Sequence, residues 1–393
     1  MTSGKPSVLM VTGAYFPEMS GAGLQCRELV RQLRDAVRFT VLTTTTDPSL
    51  PANDERDGVP VHRVFVDPTS AWSKLTAGLR MTRVMLDARR RFSILHLHGF
   101  SQKSMLLIAL GLVTGKRIAI KLTSVGHDDP AAMKARGRTA YWFYSQARIF
   151  FGVSPRFQAL YDASGLPRDR FRLIPNGVDL ERFRPASPEE RRSLRVGLNL
   201  PADCVPILFV GFFSREKCPD VLFDAWSRLA AAGNQSSVLV LIGATRSRYY
   251  EVDERLADDI RLRVSRLGLE KRLYFVEATN AIEQYQRAAD IFVLPSVREG
   301  LPNALLEAMA CGTACIATRL DGVTDTLIAD GENGILTPPR DVSALEAALA
   351  RLVLQPDCAR AMGAMARQRI ERDFALAQTT QKYLTAYQEL LAS

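Results

Sequence analysis

Residues 291–318 read IFVLPSVREGLPNALLEAMACGTACIAT. The stretch opens on an apolar run, Ile291–Leu294, with the length and composition of a buried strand. A loop over 297–302 carries Glu299 and Gly300 and ends at Pro302, a residue that the first turn of a helix tolerates because its missing N–H costs nothing there. Residues 303–310 (NALLEAMA) are strong helix formers, closed by Gly312. A second apolar run, Ala314–Ala317, follows. Strand, loop, helix and strand make a βαβ unit, whose ligands bind beyond the carboxyl ends of the strands. The start of the helix, with its free backbone N–H groups, suits an anion such as a diphosphate.

The same alternation runs outward in both directions. Val8–Val11, Phe39–Leu42, Val61–Val66, Ile94–His98 and Ile118–Ile120 read as strands, with helical patterns over 25–33 and 74–90 between them. A turn-rich break at 173–179 (LIPNGVD) interrupts the series, and Ile207–Val210 starts a second one that continues through Val238–Ile242 and Leu273–Val276. Two α/β series predict two Rossmann-like domains with parallel sheets and a cleft between them, residues 1–178 and 179–374. A last amphipathic helix over about 376–391 fits either domain by periodicity alone.

Three groups of residues carry the chemistry. Glu299 in the loop and Glu307 on the helix lie eight apart, so a carboxylate can reach sugar hydroxyls at the first position and the vicinal diol of a ribose at the second. On spacing alone, a loop charge and a surface carboxylate account for them equally. The stretch 209–220 (FVGFFSREKCPD) turns at a strand end into a loop holding Arg215 and Lys217, two cations suited to neutralising a leaving diphosphate, or else two solvated charges beside Glu216. The first strand and loop, 8–23 (VLMVTGAYFPEMSGAG), place Gly13, Gly21 and Gly23 ahead of a helix expected from Leu24, so that the backbone can approach a ligand closely there, or else form a plain flexible loop. The spacing is not Gly-x-Gly-x-x-Gly, which argues against a nicotinamide cofactor.

Bulk composition narrows the class. Of 393 residues, 47% are hydrophobic and 24% charged, as in a globular protein with a sizeable core. No run is long enough to span a bilayer, and the first eleven residues lack a signal-peptide layout, so a cytoplasmic location is expected. The six cysteines show neither disulfide-framework nor zinc-site spacing. No Asp-x-Asp triplet occurs, which favours side-chain cations and helix ends over a divalent ion, and no metal ligand set is assigned. The net charge of +9 is uneven: residues 1–180 hold 25 Lys plus Arg against 14 Asp plus Glu, the remainder 26 against 28. A basic first half suits an anionic partner or a solvated arginine-rich surface equally.

Taken together, the glycine-rich first loop, IPNGVD with Phe183, the strand–loop with Lys217 and Glu299-x7-Glu307 within EGLPNALLEAMACG resemble the retaining GT-B glycosyltransferases often called family 4. The resemblance covers nearly the whole chain. It implies a metal-independent hexosyltransferase without a cofactor, using a nucleotide-diphosphate sugar as co-substrate. It implies that Lys217 and a nearby arginine hold the diphosphate, that the backbone N–H groups of Gly300 and Leu301 cap the phosphate with Asn303 also in the donor site, that Glu299 meets the donor sugar, and that Glu307 binds ribose. In the family the arginine often follows the strand-end glycine directly; here that position is Phe212, and Arg215 stands three residues on. The family's histidine near the sugar aligns with Thr123; His127, the preferred candidate, and His98 are its nearest substitutes. The final helix, 375–393, is expected to complete the N-terminal, acceptor-binding domain, leaving 179–374 as the nucleotide-sugar donor domain. The loop 276–280 is expected to face the base.

The acceptor is read as a saccharide or a lipid-linked sugar, in cell-surface glycan synthesis. The basic, partly amphipathic stretch 71–92 and the cations at 134–138 before the aromatics at 141–144 suit peripheral docking on the inner face of an anionic membrane, though the second stretch reads rather better as core aromatics with a solvated rim of charge. A GT-B nucleotide-sugar 2-epimerase and a non-enzymatic nucleotide-sugar binder are the alternatives. No nucleic-acid-binding motif is present.

Overall fold

The computed structural model describes residues 5–18, 20–245, 252–277 and 279–392. It falls into two compact units: the residues up to 177 together with those from 377, and residues 178–376.

The first unit runs β1 (Ser7–Thr12), α1 (Gly21–Leu33), β2 (Arg38–Thr45), β3 (Asn53–Arg56), β4 (Val59–Phe65), α2 (Ala71–Ala88), β5 (Ile94–His98), α3 (Gln102–Val113), β6 (Arg117–Lys121), α4 (Pro130–Ala135), α5 (Arg138–Ser145), β7 (Ile149–Gly152), α6 (Pro155–Asp162) and β8 (Phe171–Leu173). Its sheet has the order β3-β4-β2-β1-β5-β6-β7-β8. All pairings are parallel except that of β3 with β4. That hairpin departs from the all-parallel expectation for a local reason: Asp57 and Gly58 both take positive φ, 54° and 77°, as a two-residue turn with the strands' own twist requires. Helix α1 begins three residues before the expected Leu24, because Ser20 is extended and its hydroxyl caps the Gly23 amide at 3.0 Å.

The second unit runs α7 (Pro188–Gly197), β9 (Val205–Val210), α8 (Pro219–Ala231), β10 (Ser237–Ile242), α9 (Glu254–Leu267), β11 (Leu273–Val276), α10 (Ile282–Ala288), β12 (Ile291–Leu294), α11 (Asn303–Ala310), β13 (Ala314–Thr318), β14 (Ile335–Thr337), α12 (Val342–Leu354) and α13 (Pro356–Asp373). Its all-parallel sheet has the order β11-β10-β9-β12-β13-β14. Both faces are covered by helices, so the strands are continuous apolar runs rather than alternating ones. Ile207, Phe209, Leu239, Leu241, Ile291 and Val293 pack with Trp226 and Leu222 of α8, and the Trp226 indole donates to Ser237 Oγ at 3.2 Å.

The last helix, α14 (Leu376–Ala392), packs in the first unit. Tyr383, Ala386, Tyr387 and Leu390 share a core with Val8, Met10, Cys26, Val30 and Val41, and the Tyr387 hydroxyl lies 2.7 Å from His96 Nδ1 on β5.

Candidate functional site

In the second sheet the strand order reverses between β9 and β12, so the chain leaves these two neighbours towards opposite sides and opens a crevice at their carboxyl ends. The loops after these strands are 211–218 and 295–302, the two that hold Lys217 and Glu299. The first is tightly fixed. Gly211 N donates to Ile242 O at 2.9 Å, and a Cβ on Gly243 would sit 1.8 Å from the Gly211 carbonyl oxygen, so only glycine fits where the ends of β9 and β10 meet. Lys217 N donates to Ser214 O at 3.1 Å, and Cys218 takes left-handed backbone (φ 51°) before Pro219 opens α8.

Two ion pairs join the loops side by side. Lys217 Nζ lies 2.7 Å from Glu299 Oε1. Arg298 grips Glu216 with two nitrogens, Nε to Oε2 at 3.1 Å and a terminal nitrogen to Oε1 at 2.5 Å. A backbone bond, Val297 N to Glu216 O at 2.8 Å, closes the set. The Glu299 side chain is 9% exposed and that of Lys217 25%, so the pair lies in a partly dried crevice where charge–charge terms are stronger than in water. An ammonium has three donors, and the bond to Glu299 leaves two for phosphate oxygens.

Helix α11 starts beside this pair. Pro302 stands at its N-cap, one position earlier than expected, and has no side-chain group to cap the first turn. Gly300 and Leu301 are buried, while Asn303 and Glu307 are half-buried on the helix. Gly312 closes the helix with φ 68°. The aligned amides of an eight-residue helix favour negative charge at its start.

The remaining candidates are placed as follows. Arg215 is largely exposed, with its guanidinium 3.3 Å from Asp253 and its carbonyl accepting from Arg340 at 2.9 Å. Of the loop 276–280, Ala278 lies outside the described residues; Glu277 accepts from Thr245 N at 3.0 Å and pairs with Arg261 at 3.4 Å. In the first unit, Gly21 is exposed at the start of α1, and Gly23 is buried with its would-be Cβ 2.3 Å from the Ala14 carbonyl. His127 is half-buried in the turn after β6, its amide donating to Ser124 O at 3.1 Å. His98 ends β5, buried against His96 with ring centroids 4.7 Å apart. Neither of its ring nitrogens has a hydrogen-bond partner among the described residues, and burial holds its pKa well below the usual histidine value.

Sequence reasoning did not single out the Glu216–Arg298 strap. The order Glu-Lys in one loop and Arg-Glu in the other was its trace, readable only once the strands are known to be neighbours. Among the described residues, no group of three or more His, Cys, Asp or Glu side chains is arranged to hold a metal ion, and no helix is long and apolar enough to cross a membrane.

Two family descriptions match. Residues 20–177 match a glycosyl transferase 4-like domain, and residues 190–369 match glycosyl transferases group 1. A D-inositol 3-phosphate glycosyltransferase of Saccharomonospora viridis is 33% identical over 60% of the chain, which spans about half (53%) of that relative's length. The alpha-maltose-1-phosphate synthase of Mycolicibacterium smegmatis is 28% identical over 98% of this chain and 100% of its own. Among solved structures, sucrose-phosphate synthase from Thermosynechococcus elongatus superposes with a TM-score of 0.79 at 23% identity, covering 98% of this chain and 99% of that one. Anabaena HepE, solved with UDP and glucose, superposes with a TM-score of 0.78 at 18% identity, covering 98% and 100%.

Proposed function

Since this chain belongs to the family 4 glycosyltransferases of GT-B fold, we propose that it moves a sugar from a nucleotide-diphosphate sugar to a hydroxyl acceptor with retention of configuration and without a metal ion. The observation that carries this reading is the Lys217–Glu299 pair at the point where the second sheet reverses its strand order.

In this mechanism the donor's diphosphate lies between the Lys217 ammonium and the amide-rich start of α11. As the bond from the anomeric carbon to the phosphate oxygen breaks, negative charge grows on the leaving group, and preplaced donors stabilise it without reorganisation. The acceptor oxygen joins the anomeric carbon on the face the leaving group vacates. The acceptor's proton passes to the departing phosphate oxygen, so no protein base is required. Glu299 accepts from hydroxyls of the donor sugar through the oxygen not bound to Lys217, and Glu307 accepts from the ribose diol. The second unit is thus the donor domain and the first the acceptor domain. Arg215 reaches the diphosphate by leaving Asp253. The acceptor is a saccharide or a lipid-linked sugar met at the inner face of the membrane, in the making of cell-surface glycan. UDP-sugars are the first donors to try, because UDP is bound by HepE.

Release of nucleotide diphosphate, measured with and without candidate acceptors, tests the reading. Acceptor-dependent release is expected, and Lys217→Ala or Glu299→Ala should lower its rate about a hundredfold or more while the melting transition persists. Full activity in both variants would remove the site. Release without any acceptor, accompanied by epimerised sugar, would replace transfer with epimerisation.

A further inference from the structure

Helix α2 has two apolar faces. Ala77, Met81, Met85 and Ala88 are buried and hold it to the first unit. Trp72, Leu75, Leu79 and Leu86 recur three, four and seven residues apart, a second stripe on the solvent side, with Trp72 73% and Leu79 65% exposed. Helix α3 lies alongside: Leu106 Cδ2 comes 3.7 Å from where a Cβ on Gly78 would be, and Leu112 and Val113 at its end are exposed, Val113 by 86%. An apolar patch of this kind on a rim of charge marks an interaction site.

The rim is predominantly positive. Residues 71–92 hold six Lys or Arg and one carboxylate, Asp87. At the ends of α2 and α3, Lys116 donates to the carbonyls of Arg89 and Phe92, tying the two helices together. Beside it opens a cavity of about 470 Å³ whose wall includes Leu112, Lys116, Arg117, Arg148 and Arg170 and, among the described residues, no carboxylate. Arg117 and Arg170 donate to the backbone carbonyls of Leu391 and Ser145, and neither pairs with a carboxylate among the described residues.

We propose that this face of the first unit docks on an anionic phospholipid bilayer, the α2 stripe entering the headgroup boundary and the four-cation cavity receiving a lipid phosphate. A second copy of the chain fits poorly, because a two-fold contact would press like charge on like charge. A bilayer offers apolar depth and negative charge together, and Trp72 has the amphipathic ring suited to that boundary. The surface deepens the membrane-facing part of the function proposed above and assigns it to named residues.

Co-sedimentation of the full chain with vesicles of phosphatidylcholine alone, or of equimolar phosphatidylcholine and phosphatidylglycerol, tests it. Binding to the anionic vesicles at low salt, none to the neutral ones, and release at about 0.5 M salt are expected. Leu75→Ser with Leu79→Ser should weaken binding about tenfold, and Arg148→Glu severalfold, both with unaltered melting curves. Nucleotide-diphosphate release with a soluble acceptor should be unchanged in the double variant, and Lys217→Ala should still bind vesicles, so a failed surface and a failed transfer reading give different results. The proposal is overturned if the wild-type chain ignores anionic vesicles, if the double variant binds as well as wild type, or if the wild type sediments as a dimer that the double variant dissolves.

Discussion

Each sheet reverses its strand order once, between β1 and β5 in the first unit and between β9 and β12 in the second, and the two places treat charge in opposite ways. At the second, Glu216 meets Arg298 and Lys217 meets Glu299 across the crevice. At and beside the first, titratable groups, buried or in the case of Lys103 half-buried, lie among neutral or like-charged neighbours. The His98 ring nitrogens have no hydrogen-bond partner among the described residues; Lys103 Nζ bonds the Thr12 carbonyl at 3.3 Å and the Thr44 hydroxyl at 3.0 Å; Lys121 Nζ lies 5.6 Å from the Tyr383 ring centre. Burial pulls Lys103 and Lys121 down to about 8 and pushes Asp128, in the loop after β6, up to about 6. One crevice is therefore braced by internal pairs, while the other keeps desolvated charge within its own wall.

The contrast can be broken most severely at Lys121. Its folded pKa lies below the unfolded value, so the ammonium opposes folding throughout the range below about 8 and ceases to do so as pH rises towards 10.5. Lys121→Met, similar in volume and 3% exposed in the parent, should raise stability at pH 7 by roughly 2 kcal/mol, a gain that fades in melts run at pH 9 to 10. A drop in melting temperature at pH 7 would show that Lys121 is held by something stronger than a ring face. Asp128 comes next. Its carboxylate accepts from Thr123 N, Thr123 Oγ1 and Ser124 N at 2.8, 2.6 and 3.1 Å, yet desolvation outweighs these bonds. With the folded pKa raised, its contribution is complete below about 3.8 and lost as pH climbs through about 6. Against Asp128→Asn, the wild type should lose about 2 kcal/mol between pH 4 and pH 7, read from paired denaturant titrations. Parallel pH profiles would exclude that role. The smallest effect belongs to the brace: Glu216→Ala and Arg298→Ala, alone and together, should couple by about 0.5 kcal/mol, since both side chains are partly solvated. Coupling near zero would make the strap incidental.

Much of this was legible beforehand, and the exceptions share a cause. The strands with apolar runs stand where the runs are, because a sheet covered on both faces demands them; Ile94–His98 and Ile291–Leu294 agree at both ends. Strand β3 (NDER) has no apolar residue to announce it, and its hairpin rested on the Asp57–Gly58 dipeptide. Strand β7 follows an aromatic helix so closely that 140–153 reads as one mixed run. Residue type pointed to Lys217, Glu299 and Glu307 as chemistry, but the partnership of Lys217 with Glu299 spans 82 positions and exists because β9 and β12 are neighbours. Gly23 shows the converse. It reads as room for a ligand, while the fold supplies a second reason for glycine in the Ala14 carbonyl 2.3 Å from its missing Cβ.

Helix α14 completes the core around β1 and β2, although some 330 residues of synthesis separate β2 from it. While the ribosome is still extending the chain, the first unit lacks Tyr383, Tyr387 and Leu390, and the inner sides of Val8, Met10 and Val41 have no cover. The second unit is translated meanwhile and can close on its own residues. The half made first is thus the half finished last, and a nascent chain arrested before residue 377 would expose an unfinished sheet to chaperones and proteases.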